Sequence, residues 1–70
     1  MKNNIKFYIY TGKVIELWKT DGSLGFWKKK GKDDWIESPW VLGSINNPDF
    51  MFRNRKVIRE ITKYEAALLL

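Results

Sequence analysis

The stretch "KVIELWKTDGSLGFWKKK" (residues 13–30) decides how this chain is read. Two runs rich in β-branched and aromatic side chains, around Val14–Trp18 and Leu24–Trp27, flank the dipeptide Asp21-Gly22. That dipeptide between two such runs is a strong short-range signal of a β-hairpin. Alternation within the first run is imperfect. Ile15 and Leu17 share one face of a strand, while Val14, Glu16 and Trp18 share the other. In the second run Phe26 and Trp27 are adjacent, so they point to opposite faces and at least one ring lies outside the main core.

Working outward, "NIKFYIYTG" (residues 4–12) alternates Ile5, Phe7 and Ile9 with Lys6, Tyr8 and Tyr10, the period of a half-buried strand. After the hairpin, "GKDD" (31–34) turns the chain at Gly31, and "WIES" (35–38) reads as a fourth strand ended by Pro39. "PWVLGSINNPDF" (39–50) reads as irregular, with Asn47 capping a short helical turn that starts at Pro48. In the last third, Val57, Ile61, Tyr64 and Leu68 recur at spacings 4, 3 and 4, as one helix face would. However, "TKYE" (62–65) is a capping box, in which Thr62 and Glu65 satisfy each other's backbone N–H groups. A cap starts a helix and does not continue one. The better division is a fifth strand over roughly residues 56–61 and a helix from about 63 to the end. Its tail carries Leu68, Leu69 and Leu70, and a helix this short must dock on the sheet or on a second subunit.

The stretch "REITKYEAALL" (59–69), with Ile61, Thr62, Glu65 and Ala66 matching "IT-x-x-E-A", resembles small bacterial proteins of phage or prophage type. In those a short sheet precedes a helix with this start. The match spans about a sixth of the chain and implies no activity and no site.

The expected fold is therefore one α+β domain over residues 1–70. It comprises a four- to five-stranded antiparallel meander, curled in an SH3-like or barrel-like way, and a short C-terminal helix. Seventy residues make only a thin core. With no cysteine and no histidine, neither a disulfide nor a zinc site can staple it. An aromatic content of 16% is the substitute, since each such ring buries a large apolar area. Trp18, Trp40 and one of Phe26 and Trp27 are the expected buried rings. No apolar run approaches a membrane span, and "MKNNIKFYIYTGK" (1–13) has no signal-peptide cleavage site. A chain that opens on its own Met1 in this way reads as a complete cytoplasmic polypeptide.

Catalytic chemistry finds little to work with. Asp33 and Asp34 are neighbours that would face opposite ways in a strand, and with Glu37 they are explained as charges balancing Lys28–Lys32. No Asp-x-Asp-x-Asp spacing supports Mg²⁺ or Ca²⁺. Ser23, Ser38 and Ser44 have no histidine to serve as base. "TDGSLG" (20–25) lacks the lysine and the helix of a phosphate loop. No catalytic residue, metal ligand or cofactor is expected, so the chain reads as a non-enzymatic binding protein. Its net charge of +5 comes from 13 basic and 8 acidic residues. Trp27, Lys28, Lys29, Lys30, Lys32 and Trp35 on two joined strands, with Arg53, Arg55 and Arg59 as a second basic group, are the candidate surface. Cationic grooves with stacking rings bind single-stranded nucleic acid. Exposed tryptophans equally mark protein–protein contacts, and lysines at a hairpin tip also deter edge-to-edge aggregation. A protein partner ranks first because Asp33, Asp34 and Glu37 interrupt the basic run. Nucleic acid ranks second, and a homodimer through the C-terminal helix is a further option.

Overall fold

A computed structural model describes residues 4–69 of the chain. β1 (Lys6–Thr11), β2 (Ile15–Thr20) and β3 (Gly25–Lys29) run antiparallel in succession, and β4 (Ile36–Glu37) adds two residues along the outer edge of β3. Asp21 starts the β2–β3 turn by accepting from the backbone N–H groups of Ser23 and Leu24, at 2.8 and 2.9 Å. Gly22 and Gly31 adopt φ of 98° and 88°, the region open mainly to glycine, so both turns fall where the sequence places them.

The segment expected to be irregular instead forms two helices, α1 (Pro39–Ile45) and α2 (Pro48–Arg53). The Ser38 hydroxyl accepts from the Val41 N–H at 3.2 Å and Pro39 occupies the first turn. The Ser38-Pro39 pair thus both ends β4 and starts α1, because proline at that position gives up no helical bond. α2 begins as the residues imply, with the Asn47 side chain accepting from the Phe50 N–H at 3.2 Å. β5 (Ile58–Ile61) follows, and then α3 (Lys63–Leu69). The capping box closes both ways: Thr62 Oγ1 accepts from the Glu65 N–H at 3.1 Å, and Glu65 Oε1 accepts from the Thr62 N–H at 3.0 Å.

The five strands lie in the order β4-β3-β2-β1-β5. The fold is α+β, as expected, but β5 leaves the meander and returns beside β1. With β4 and β5 as free edges the sheet stays open and does not close into a barrel.

Strand register assigns every residue to a face. One face carries the rungs Ile36–Trp27–Trp18–Tyr8–Glu60 and Lys29–Glu16–Tyr10–Ile58. The helices α1 and α2 cover it, and Tyr8, Trp18, Val41 and Ile58 form its core with Tyr10, Trp27, Ile45, Phe50, Met51 and Val57 around them. The opposite face carries Glu37–Phe26–Lys19–Phe7–Ile61 and Lys28–Leu17–Ile9–Arg59. There Leu17, Ile61 and Ala66 form a smaller core, with Phe7, Ile9, Trp35 and Leu69 against it. Adjacent Leu17 and Trp18 are therefore both buried, at 0% and 1% exposure. This explains the imperfect alternation of β2, since a strand covered on both sides needs apolar groups in both phases. Gly25 makes the first layer possible: a Cβ there would lie 2.6 Å from the Leu42 backbone nitrogen, so α1 rests directly on the β3 backbone.

Candidate functional site

The candidate residues divide between the two faces of the sheet and between its β4 and β5 sides. Trp27 is half-buried under α1, on the Trp18 side. Trp35 is half-buried on the other side, where the loop after β3 folds back over Leu17, Ile61 and Ala66. One stacking platform cannot use both rings, so the pairing expected for single-stranded nucleic acid is not assembled.

Lys28 departs furthest from expectation. It is 3% exposed and lies beneath the loop it precedes. Its ammonium donates to the Lys32 carbonyl and lies 6.0 Å from the centre of the Trp35 ring. Lys19, on the neighbouring strand, places its ammonium 4.3 Å from that ring and 5.4 Å from Phe26. An aromatic face attracts such a cation, so Trp35 serves here as a lid over two lysines. Lys29, Lys30 and Lys32 remain exposed at the tip. The tip thus keeps three of its four lysines for solvent or a partner.

The arginines belong to the far edge. Arg59 lies on β5 and pairs with Glu65 at 3.9 Å, both largely exposed. Arg55 sets its guanidinium 4.1 Å over Phe52 and donates to the Phe52 carbonyl at 2.8 Å, which satisfies one of the last carbonyls of α2. Arg53 is exposed in the last turn of α2. β1 and β2 separate Arg59 on β5 from the lysines of β3.

The ring that stands out was expected in the core. Trp40 is 62% exposed. It is nonetheless held on two sides, edge-on to Trp18 with centroids 5.5 Å apart and edge-on to Phe50 at 5.8 Å. Trp18 in turn stacks on Tyr10 at 5.8 Å and donates its indole N–H to Glu16 at 3.0 Å. Trp40 is the outermost member of an aromatic series rooted in the main core. The signal for its position lay in Ser38-Pro39: once a helix starts there, Trp40 sits about 100° around it from Val41, which points at the sheet. Phe52 on α2 and Tyr64 and Leu68 on α3 are also exposed. Leu70, expected to extend that last apolar end, lies outside the described residues.

Among the described residues, no three acidic side chains come together as metal ligands, and no helix is long and apolar enough to cross a membrane. Asp33 and Asp34 are exposed in the loop before β4. No protein-family model, no curated protein and no solved structure matches the chain.

Proposed function

We propose that this chain is a small non-enzymatic binding protein that engages a protein partner, with Trp40 as the anchor. The observation that carries this reading is a tryptophan 62% exposed yet fixed by two edge-to-face contacts. Energetic hot spots of protein interfaces are enriched in tryptophan, and a ring already held in place loses little further freedom on binding. The reading includes a phage or mobile-element origin, supported by the "IT-x-x-E-A" resemblance at Ile61–Ala66. It also includes a cytoplasmic setting. Trp27, Trp35, Arg53, Arg55 and Arg59 are secondary to this anchor, and Trp35 lies on the other face of the sheet.

Nucleic-acid binding is the second reading, favoured by exposed Lys29, Lys30 and Lys32 beside half-buried Trp35. One comparison separates the two. The wild type, Trp40→Ala and the triple change of Lys29, Lys30 and Lys32 to Ala are each immobilised and challenged with host lysate and with a single-stranded oligonucleotide, at low and high salt. The protein reading expects a captured species that survives high salt and is lost with Trp40→Ala alone. Capture that persists with Trp40→Ala overturns it. Oligonucleotide binding that falls steeply with salt, and flattens in the triple variant, establishes the second reading instead.

A further inference from the structure

A second group of polar residues gathers where β1, the β2–β3 turn and the end of α1 meet. Strand period places Lys6 and Tyr8 side by side on β1, opposite the end of β2, and the end of α1 roofs them with Ile45 and Asn46. Together with Asn4 and Asp21 these residues line a pocket of about 200 Å³. Three features mark it as more than a surface dimple. Tyr8 is only 8% exposed, and no described residue hydrogen-bonds its hydroxyl. Among the described residues no buried side-chain polar atom is left unpaired, so that hydroxyl is not sealed from solvent, and Tyr8 lines the pocket. Next, Lys6 and Asp21 carry opposite charges on the pocket walls and form no ion pair with each other, the pair among the described residues being Arg59 with Glu65. Finally, Asp21 spends a single oxygen, Oδ1, on the Ser23 and Leu24 N–H groups, which leaves Oδ2 free. The Thr20 hydroxyl, by contrast, is consumed within the hairpin by Leu24 and Gly22.

We propose that this pocket binds a small zwitterion of the free α-amino acid type, with its carboxylate on the Lys6 ammonium and Tyr8 hydroxyl and its ammonium on Asp21 Oδ2. Ile45 supplies an apolar wall for a short side chain, and the amides of Asn4 and Asn46 supply further donors and acceptors. The volume is below the ~300–1,000 Å³ of pockets for drug-sized ligands, which suits a ligand of this size. The protonation states agree. Burial, and then the Glu60 carboxylate, push the Tyr8 phenol up, so it remains a donor. The backbone N–H groups of Leu24 and Ser23 hold the Asp21 carboxyl down, so it remains an anion.

The test is a titration of the ¹⁵N-labelled protein with L-alanine, propionate and ethylamine, read from backbone amide shifts. Saturable shifts at Lys6, Tyr8, Gly22 and Asn46 are expected, with L-alanine binding about tenfold tighter than either singly charged analogue, the worth of one charged hydrogen bond. Asp21→Asn keeps an Oδ1 acceptor for the turn and should weaken L-alanine by about tenfold. Tyr8→Phe should weaken it about threefold. Absence of saturable shifts overturns the proposal. So does equal binding of propionate and L-alanine, which would define a plain anion site. Should Tyr8→Phe fail to fold, the Asp21→Asn comparison decides. Trp40 lies outside this pocket, so the result is separate from the fate of the protein-binding reading.

Discussion

The two faces of this one sheet are finished by different means. The face under α1 and α2 is closed by rings, with Trp18 at the centre and Tyr10, Trp27, Trp40 and Phe50 around it. The other face holds a small aliphatic core of Leu17, Ile61 and Ala66, and beside it the sheet presents Lys19 and Lys28 where apolar groups would normally stand. Trp35 closes that side from above, through a loop and not through a helix. A chain of 70 residues without cysteine thus covers both sides of a sheet by unlike means. Helices suffice for one side, and the second is completed by a short helix, one indole and two cations.

The contrast predicts unequal cores. Trp18→Ala removes the ring on which Tyr10 and Trp40 both rest, and such truncations cost about 3–5 kcal/mol. A single core of this size supplies only about 3–5 kcal/mol in all, so the variant should show no cooperative unfolding transition. Leu17→Ala, on the opposite face, should leave a folded protein with a lowered Tm. Measured by circular dichroism on heating, a larger loss for Leu17→Ala than for Trp18→Ala would reverse the ranking of the two faces.

Gly25→Ala tests the helix-covered face alone. The added methyl would meet the Leu42 backbone at 2.6 Å, and backbone cannot swing aside as a flexible side chain can. Overpacking of this kind costs about 1–3 kcal/mol, and α1 should lift from β3. The readout that distinguishes this from general destabilisation is the Trp40 indole N–H resonance and amide exchange in α1, with α3 amides unchanged. Equal loosening of both helices would mean the faces are not independent.

A smaller effect is expected at the other layer. Glu65→Ala removes one half of the capping box and the Arg59 contact, so α3 should lose about 1 kcal/mol of support. In a domain this small that lowers Tm by about 4–8 °C. An unchanged Tm would show that α3 is held by Ala66 and Leu69 alone.

What could be read from the residues follows the range of the interactions. The Asp21-Gly22 turn, the Asn47-Pro48 helix start and the Thr62–Glu65 box were legible because each closes its hydrogen bonds within three or four residues. Ser38-Pro39 carried the same kind of signal, hidden because proline also ends a strand. The candidate site was less legible because face and burial are set at long range. Trp40 is exposed only because α1 docks on Gly25 with Val41 inward, and Lys28 is buried only because the loop to Trp35 folds back across β3. The return of β5 to β1 likewise depends on two helices carrying the chain across the sheet.

The least expected effect in stability comes from the residue most out of place. Lys28 buries its ammonium against one carbonyl and an indole, with Lys19 over the same ring and no carboxylate paired to either among the described residues. Removing a charge from water is costly unless it is well paired, and replacing it by an apolar side chain of similar length is often neutral or stabilising. Lys28→Met should therefore leave Tm unchanged or raise it, whereas Lys28→Ala should lower it by leaving a gap beneath Trp35. If Lys28→Met instead destabilises by more than about 1 kcal/mol, the ammonium is a structural pin for the loop and the second face is a cation-centred core. If it stabilises, the charge stands on that face at a cost to folding, as expected for a buried ammonium without a carboxylate partner.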